Sequence, residues 1–186
     1  MPDTERPMRA DARRNYERIV ATAKDLFTTH GADVPLDDVA KKAGVGAGTL
    51  YRHFPTREKL FEAVYRDEIT VLADRALVLH DELPPWEALE AWLLAQVTWV
   101  VERHKLAMIL KESIDSGSET FQYCQKRLRE ATGVLVATAQ EAGLVRPDVV
   151  GADVLRLGHG AGMAVRNCSP EDGRRVLTVI LDGLRA

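Results

Sequence analysis

Two short apolar-striped segments meet at Gly44, and no other feature restricts the fold of this chain as tightly. Leu36, Val39, Ala40 and Ala43 recur at steps of three and four, which gives one buried face on a helix of about two turns. A helix that short does not persist alone, so it must pack. Gly44 follows the last stripe residue, where a chain leaving a helix often takes the left-handed conformation that glycine adopts without strain. Val45 turns back toward the core, and a second short helix begins near Ala47. A turn of about three residues between two short helices fits a helix-turn-helix better than a bundle hairpin. Small Ala40 suits the close crossing.

Stepping about 100° per residue from Leu50, at the centre of the second helix's buried face, puts Phe54 beside it and Gly48 and Arg52 almost opposite. Thr49 lies at one side of that outward face, and Tyr51 and His53 fall on its two shoulders. Hydroxyl, imidazole and guanidinium groups there suit the phosphates bordering a major groove. Pro55 closes the helix. Thr56 is placed to cap the next one, whose first turn carries Arg57 and Lys59 and presents free amides that attract phosphate. The alternative is a helical hairpin with incidental polar residues.

These residues resemble the TetR family of bacterial transcriptional regulators. The pattern A-x-x-x-G-V-x-x-G-T-L-Y-x-H-F-x-x-[KR]-x-x-L is carried by Ala40, Gly44, Val45, Gly48, Thr49, Leu50, Tyr51, His53, Phe54, Arg57 and Leu60. The resemblance implies that Tyr51, His53 and Arg57 bind phosphates and that Ala47, Gly48, Thr49 and Arg52 lie nearest the bases. The chain departs from the family at the start of the first motif helix, where Thr or Ser is usual and Val34-Pro35 stands here. Proline can open a helix. Asp37 and Asp38 favour the helix dipole but oppose DNA if they face it, so that helix end receives no contacts.

The remaining sequence reads as helices throughout. A first helix spans about Asp11 to Thr29 behind a mobile tail of residues 1–10, whose Arg6 and Arg9 suit either a minor-groove arm or a solvated end. A long fourth helix starts at Arg57 and runs toward Pro84-Pro85. Further helices cover about Pro85 to Arg103, Leu106 to Ile114, 119 to 142, Val149 to about Arg166, and a last one after Ser169-Pro170. The expected architecture is all-α with about nine helices: a helix-turn-helix domain over 11–56, joined by the long helix to a regulatory and dimerisation domain over 57–186.

Net charge is −3, which looks unsuited to DNA until it is divided: residues 1–66 carry 12 Lys+Arg against 10 Asp+Glu, and residues 67–186 carry 13 against 18. The asymmetry is small, so the DNA argument rests on local placement. Two cysteines, Cys124 and Cys168, lack metal-ligand spacing and are too few for a disulfide scaffold, which favours a reducing cytoplasm. No apolar run reaches the ~18 residues needed to span a bilayer, and the N-terminus lacks a secretion signal. Neither cofactor nor metal is expected.

In the larger domain, Trp92, Trp99, His104, Met108, Phe121, Tyr123 and His159 suit either an apolar ligand pocket or ordinary core and surface positions. Gly158, Gly160 and Gly162 each cost about 1 kcal/mol relative to alanine in a helix, which close approach to another helix would offset. The family resemblance implies a dimeric four-helix bundle here, with Gly158, Ala161, Gly162, Val165, Val176 and Ile180 at the interface; intramolecular packing fits the sequence equally. The expected function is a homodimeric regulator, acting as a repressor on an inverted-repeat double-stranded operator and responding to a small molecule. A helical-bundle enzyme or a protein-binding scaffold are the alternatives, although no catalytic motif stands beside Glu102, His104, Glu112 or His159.

Overall fold

The structure, a computed structural model, describes residues 5–103, 106 and 117–186, with side chains from Ala10 onward. The described residues form eight helices and no strand. They are α1 (Glu5–His30), α2 (Leu36–Lys42), α3 (Ala47–His53), α4 (Arg57–Glu82), α5 (Pro85–Glu102), α6 (Glu119–Glu141), α7 (Gly151–Val165) and α8 (Pro170–Leu184). The further helix expected over Leu106 to Ile114 lies outside the described residues apart from Leu106. Helix α1 starts at Glu5, earlier than the Asp11 expected, so the segment read as a tail is helical from Glu5 on. No helix among the described residues is long and apolar enough to cross a membrane.

The chain forms two compact units, and their boundary falls inside α4, between Asp67 and Glu68, rather than at its start near Arg57. The reason is packing. Ile19, Val20, Ala23 and Phe27 of α1 close on Val39 and Ala40 of α2 and Leu50 of α3, while Leu60, Phe61 and Val64 of α4 complete the same core. The rings of Phe27 and Phe61 lie 4.7 Å apart. Three helices of this size bury too little to be stable alone, and each large apolar side chain that α4 adds contributes roughly 1.5–3 kcal/mol.

In the second unit α5 is the central helix, packed against α6, α7 and α8. Ala88, Leu89, Trp92, Leu93, Val97 and Val100 are all buried, consistent with its apolar character on two sides. Glu68 of α4 is buried in this unit. It accepts a hydrogen bond from Trp99 Nε1 at 3.2 Å and pairs with Arg103 Nε at 3.2 Å. At the end of α6, Gly143 takes φ +71°, and the amides of Gly143 and Leu144 donate to the carbonyls of Gln140 and Ala139, which closes the helix.

Helix α7 corrects one expectation. Gly158, Ala161 and Gly162, read as candidates for a face against a second subunit, are buried within the chain. A Cβ at Gly158 would collide with the Gln96 side chain of α5, and one at Gly162 would lie 2.5 Å from Val100 Cβ. A Cβ at Gly151 would lie 2.8 Å from the Gly133 amide nitrogen of α6. These glycines let α7 approach its own neighbours. The apolar residues that α7 and α8 leave exposed are others, notably Leu157 and Met163 on α7 and Val179 on α8.

Candidate nucleic-acid interface

The α2–α3 turn is built as the sequence requires. Gly44 takes φ +65°, its amide donates to Lys41 O at 3.1 Å, and the Val45 amide donates to Ala40 O at 3.0 Å. Two of the carbonyls left open at the end of α2 are thereby satisfied. From α1, the Arg18 guanidinium donates to Gly44 O at 3.0 Å and ties the turn to the first helix. Only Leu50 of α3 is fully buried. Phe54 follows it into the core in an extended conformation, φ −132° and ψ 84°, as the residue before Pro55 must.

The rest of α3 faces outward. Ala47, Gly48, Tyr51 and Arg52 are exposed, and Thr49 and His53 are half-buried at the margins. Gly48 is informative: a Cβ there would meet no atom within 4 Å. The fold therefore has no need of a glycine at this position, yet the helix bears the cost of one. Arg52 makes no ion pair among the described residues, so its guanidinium is available to a partner outside the chain.

The shoulder residues are held by neighbours that sequence periodicity did not supply. The His53 ring stands edge-on to Tyr16 of α1 at 6.0 Å, and Tyr16 also lies 5.1 Å from the Phe54 ring. Tyr16 thus supports the end of α3 from α1 while remaining partly exposed. Burial raises its hydroxyl pKa, opposed by Arg66 and reinforced by Asp67, so the phenol stays protonated. The Tyr51 hydroxyl lies 3.4 Å from Asp37 Oδ1. At the start of α4, Thr56 Oγ1 accepts the Lys59 amide at 3.4 Å, the cap that the sequence suggested. The Thr56 hydroxyl also holds the Glu58 carboxyl below its ordinary pKa.

Two of the basic candidates are partly engaged. The Arg57 guanidinium donates to Ala32 O, and Lys59 Nζ bonds both carboxylate oxygens of Glu62 at 3.0 and 3.1 Å. Arg57 has five N–H groups and keeps donors to spare, whereas the Lys59 charge is largely offset. The arrangement presents a short helix with an uncrowded centre, the Arg52 guanidinium, unpaired among the described residues, and hydroxyl and imidazole groups on its flanks. Such a face can enter a groove and donate hydrogen bonds.

The candidate pocket residues differ in exposure. Trp92 is fully enclosed, Trp99 and Phe121 are half-buried, and Tyr123 and His159 are exposed; His104 and Met108 lie outside the described residues. Cys124 is buried as a small hydrophobe, but Cys168 is exposed.

Residues 19–64 match the model of bacterial regulatory proteins of the tetR family, and residues 84–186 match that of the C-terminal domain of SbtR-like transcriptional regulators. A TetR transcription regulatory protein from Mycobacterium vanbaalenii shares 36% identity, with 97% of this chain and 100% of that one covered at a TM-score of 0.74. A TetR transcriptional regulator from Streptomyces coelicolor shares 35% identity over 91% of this chain and 98% of its own, at 0.71. The transcriptional repressor KstR2 of Mycolicibacterium smegmatis is 28% identical over 80% of this chain and 74% of its own length. These relatives are regulators rather than enzymes, and the matches cover both the helix-turn-helix and the helical bundle. This chain belongs to the TetR family of bacterial transcriptional regulators.

Proposed function

We propose that the protein is a cytoplasmic homodimeric repressor that reads an inverted-repeat operator through α3 and responds to a small molecule held by its second unit. The observation that carries this reading is the outward face of α3, where Gly48 has open space around it and Arg52 has no partner within the described chain. Thr49 and Arg52 choose bases. Tyr51, His53 and Arg57 grip phosphates, and Ala47 and Gly48 allow close approach. Lys59, shared with Glu62, contributes less. Residues 11–56 with the first turns of α4 form the reading domain, and the chain from there on is the regulatory domain.

For the dimer surface, the intrachain burial of Gly158, Ala161 and Gly162 shifts the proposal to their exposed neighbours. Leu157 and Ala164 on α7 and Val179 on α8 are exposed, while Val165, Val176 and Ile180 are half-buried at the margin. Two recognition helices then reach half-sites one helical turn apart or a multiple of it. An effector reading draws support from α5, where Trp92 Nε1 and Gln96 Oε1 are enclosed without a hydrogen-bond partner among the described residues. Each such group costs roughly 1–3 kcal/mol, which a polar effector could recover. The name of the KstR2 relative supports repression.

Selection of bound sequences from a random DNA pool tests the reading. An inverted repeat should emerge, with affinity that falls steeply as salt rises. Recovery of no common sequence would remove the reading.

A further inference from the structure

The start of α2 carries an acid where it meets the proposed DNA face. Asp37 is exposed in the first turn of α2, and its Oδ1 lies 3.4 Å from the Tyr51 hydroxyl. No cation pairs with Asp37 among the described residues, and α2 has no side-chain cap at Pro35. The carboxylate therefore has two neighbours to answer to, the positive end of its own helix and the hydroxyl of Tyr51. A tyrosine hydroxyl has a single proton to donate. When Tyr51 gives that proton to a phosphate it must leave Asp37, whose charge then stands beside the phosphate.

Resting on the DNA-reading assignment of α3, we propose that Asp37 is a built-in brake on DNA affinity. It holds the Tyr51 hydroxyl in the free protein and repels the phosphate that Tyr51 contacts in the complex. Phosphate contacts are common to all sequences, so the brake acts on operator and random DNA alike. Its consequence is to keep the protein from settling on arbitrary DNA, where affinity comes almost wholly from the backbone.

The test uses fluorescence anisotropy of the full chain on a labelled random-sequence duplex of about 30 base pairs, roughly three helical turns. Asp37→Asn removes the charge and keeps an acceptor. It should tighten binding about fivefold, the equivalent of two unit charges near 4 Å in water, and the gain should shrink as salt is added. Asp37→Ser, also neutral and suited to a helix start, should do the same. Asp38→Asn, at the same helix end without a bond to Tyr51, should change affinity by less than about twofold. Tyr51→Phe should cost more affinity in the Asp37→Asn background than in the wild type, because the free state no longer offers the hydroxyl a charged acceptor. Equal Tyr51→Phe losses in the two backgrounds, or an equal gain from Asp38→Asn, would overturn the proposal. Wild-type protein with no salt-dependent DNA binding would instead overturn the reading of α3, whatever the variants did.

Discussion

Helices α3 and α7 both carry glycine where alanine would make a better helix, and the two use it for opposite reasons. On α7, added side chains at Gly158 and Gly162 would strike Gln96 and Val100 of α5. The chain itself explains those glycines. On α3, an added Cβ at Gly48 would meet nothing within 4 Å. The cost of that glycine is not offset within the described protein, so its compensation is sought in whatever α3 approaches. Gly160 is like Gly48 in having open space, because two residues from Gly158 and Gly162 it points to the opposite face of α7. A glycine's meaning is thus read from what would occupy the space beside it.

Gly162 should show the largest effect. Gly162→Leu places a branched side chain against Val100 and the Val97 carbonyl, and overpacking of this kind costs about 1–3 kcal/mol or more. The expected outcome is a melting temperature lower by roughly 2–4 °C for each kcal/mol lost, with the second unit disrupted rather than a folded monomer released. A well-folded dimer with unchanged melting would mean that α7 does not need the close approach. Gly158→Ala should cost less, on the order of 1 kcal/mol, because the atoms it meets are the movable end of Gln96. Chemical denaturation measures this, and a gain in stability would contradict the placement.

The exposed side of α7 and α8 sharpens the contrast. Val179→Glu leaves the core untouched, since Val179 is 67% exposed, so the unfolding free energy of dilute protein should change by no more than about 0.5 kcal/mol. Sedimentation should nevertheless show more monomer, and operator affinity should fall with it. A stable dimer would place the subunit contact elsewhere. Gly48→Ala gives a small change in stability and a telling one in binding. It should stabilise the fold by roughly 0.5–1 kcal/mol, as helix propensity alone dictates, while weakening DNA binding. Tighter or unchanged DNA binding would remove Gly48 from the proposed contact.

Local chemistry made much of the fold legible before any coordinates. The turn at Gly44 and Val45, the cap by Thr56 and the buried faces around Val39 and Leu50 each depend on residues within about a turn of one another, and periodicity captures such neighbours. Residues far apart in sequence carried what was missed. Tyr16 reaches His53 and Phe54 from another helix, Arg57 reaches back to Ala32, and Asp37 meets Tyr51 across the motif. The α7 glycines show the same limit in another form. A small-residue face declares that something comes close, but not whether the neighbour is α5 of the same chain or a second subunit. Candidate pocket residues were chosen by chemistry without a helical phase to unite them, and Trp92 and His159 accordingly stand in different surroundings.

If the outward face of α3 reads DNA sequence, loss of the Arg52 side chain should change which bases are chosen. A bidentate arginine to guanine contact is worth roughly 1–3 kcal/mol of discrimination, and the Arg52 guanidinium is exposed without a partner in the described chain. Sequences selected from a random pool by the wild type and by Arg52→Ala should share one inverted repeat, with a single symmetric position relaxed in each half-site of the variant's set. An identical motif from both proteins would mean that Arg52 on α3 does not read bases.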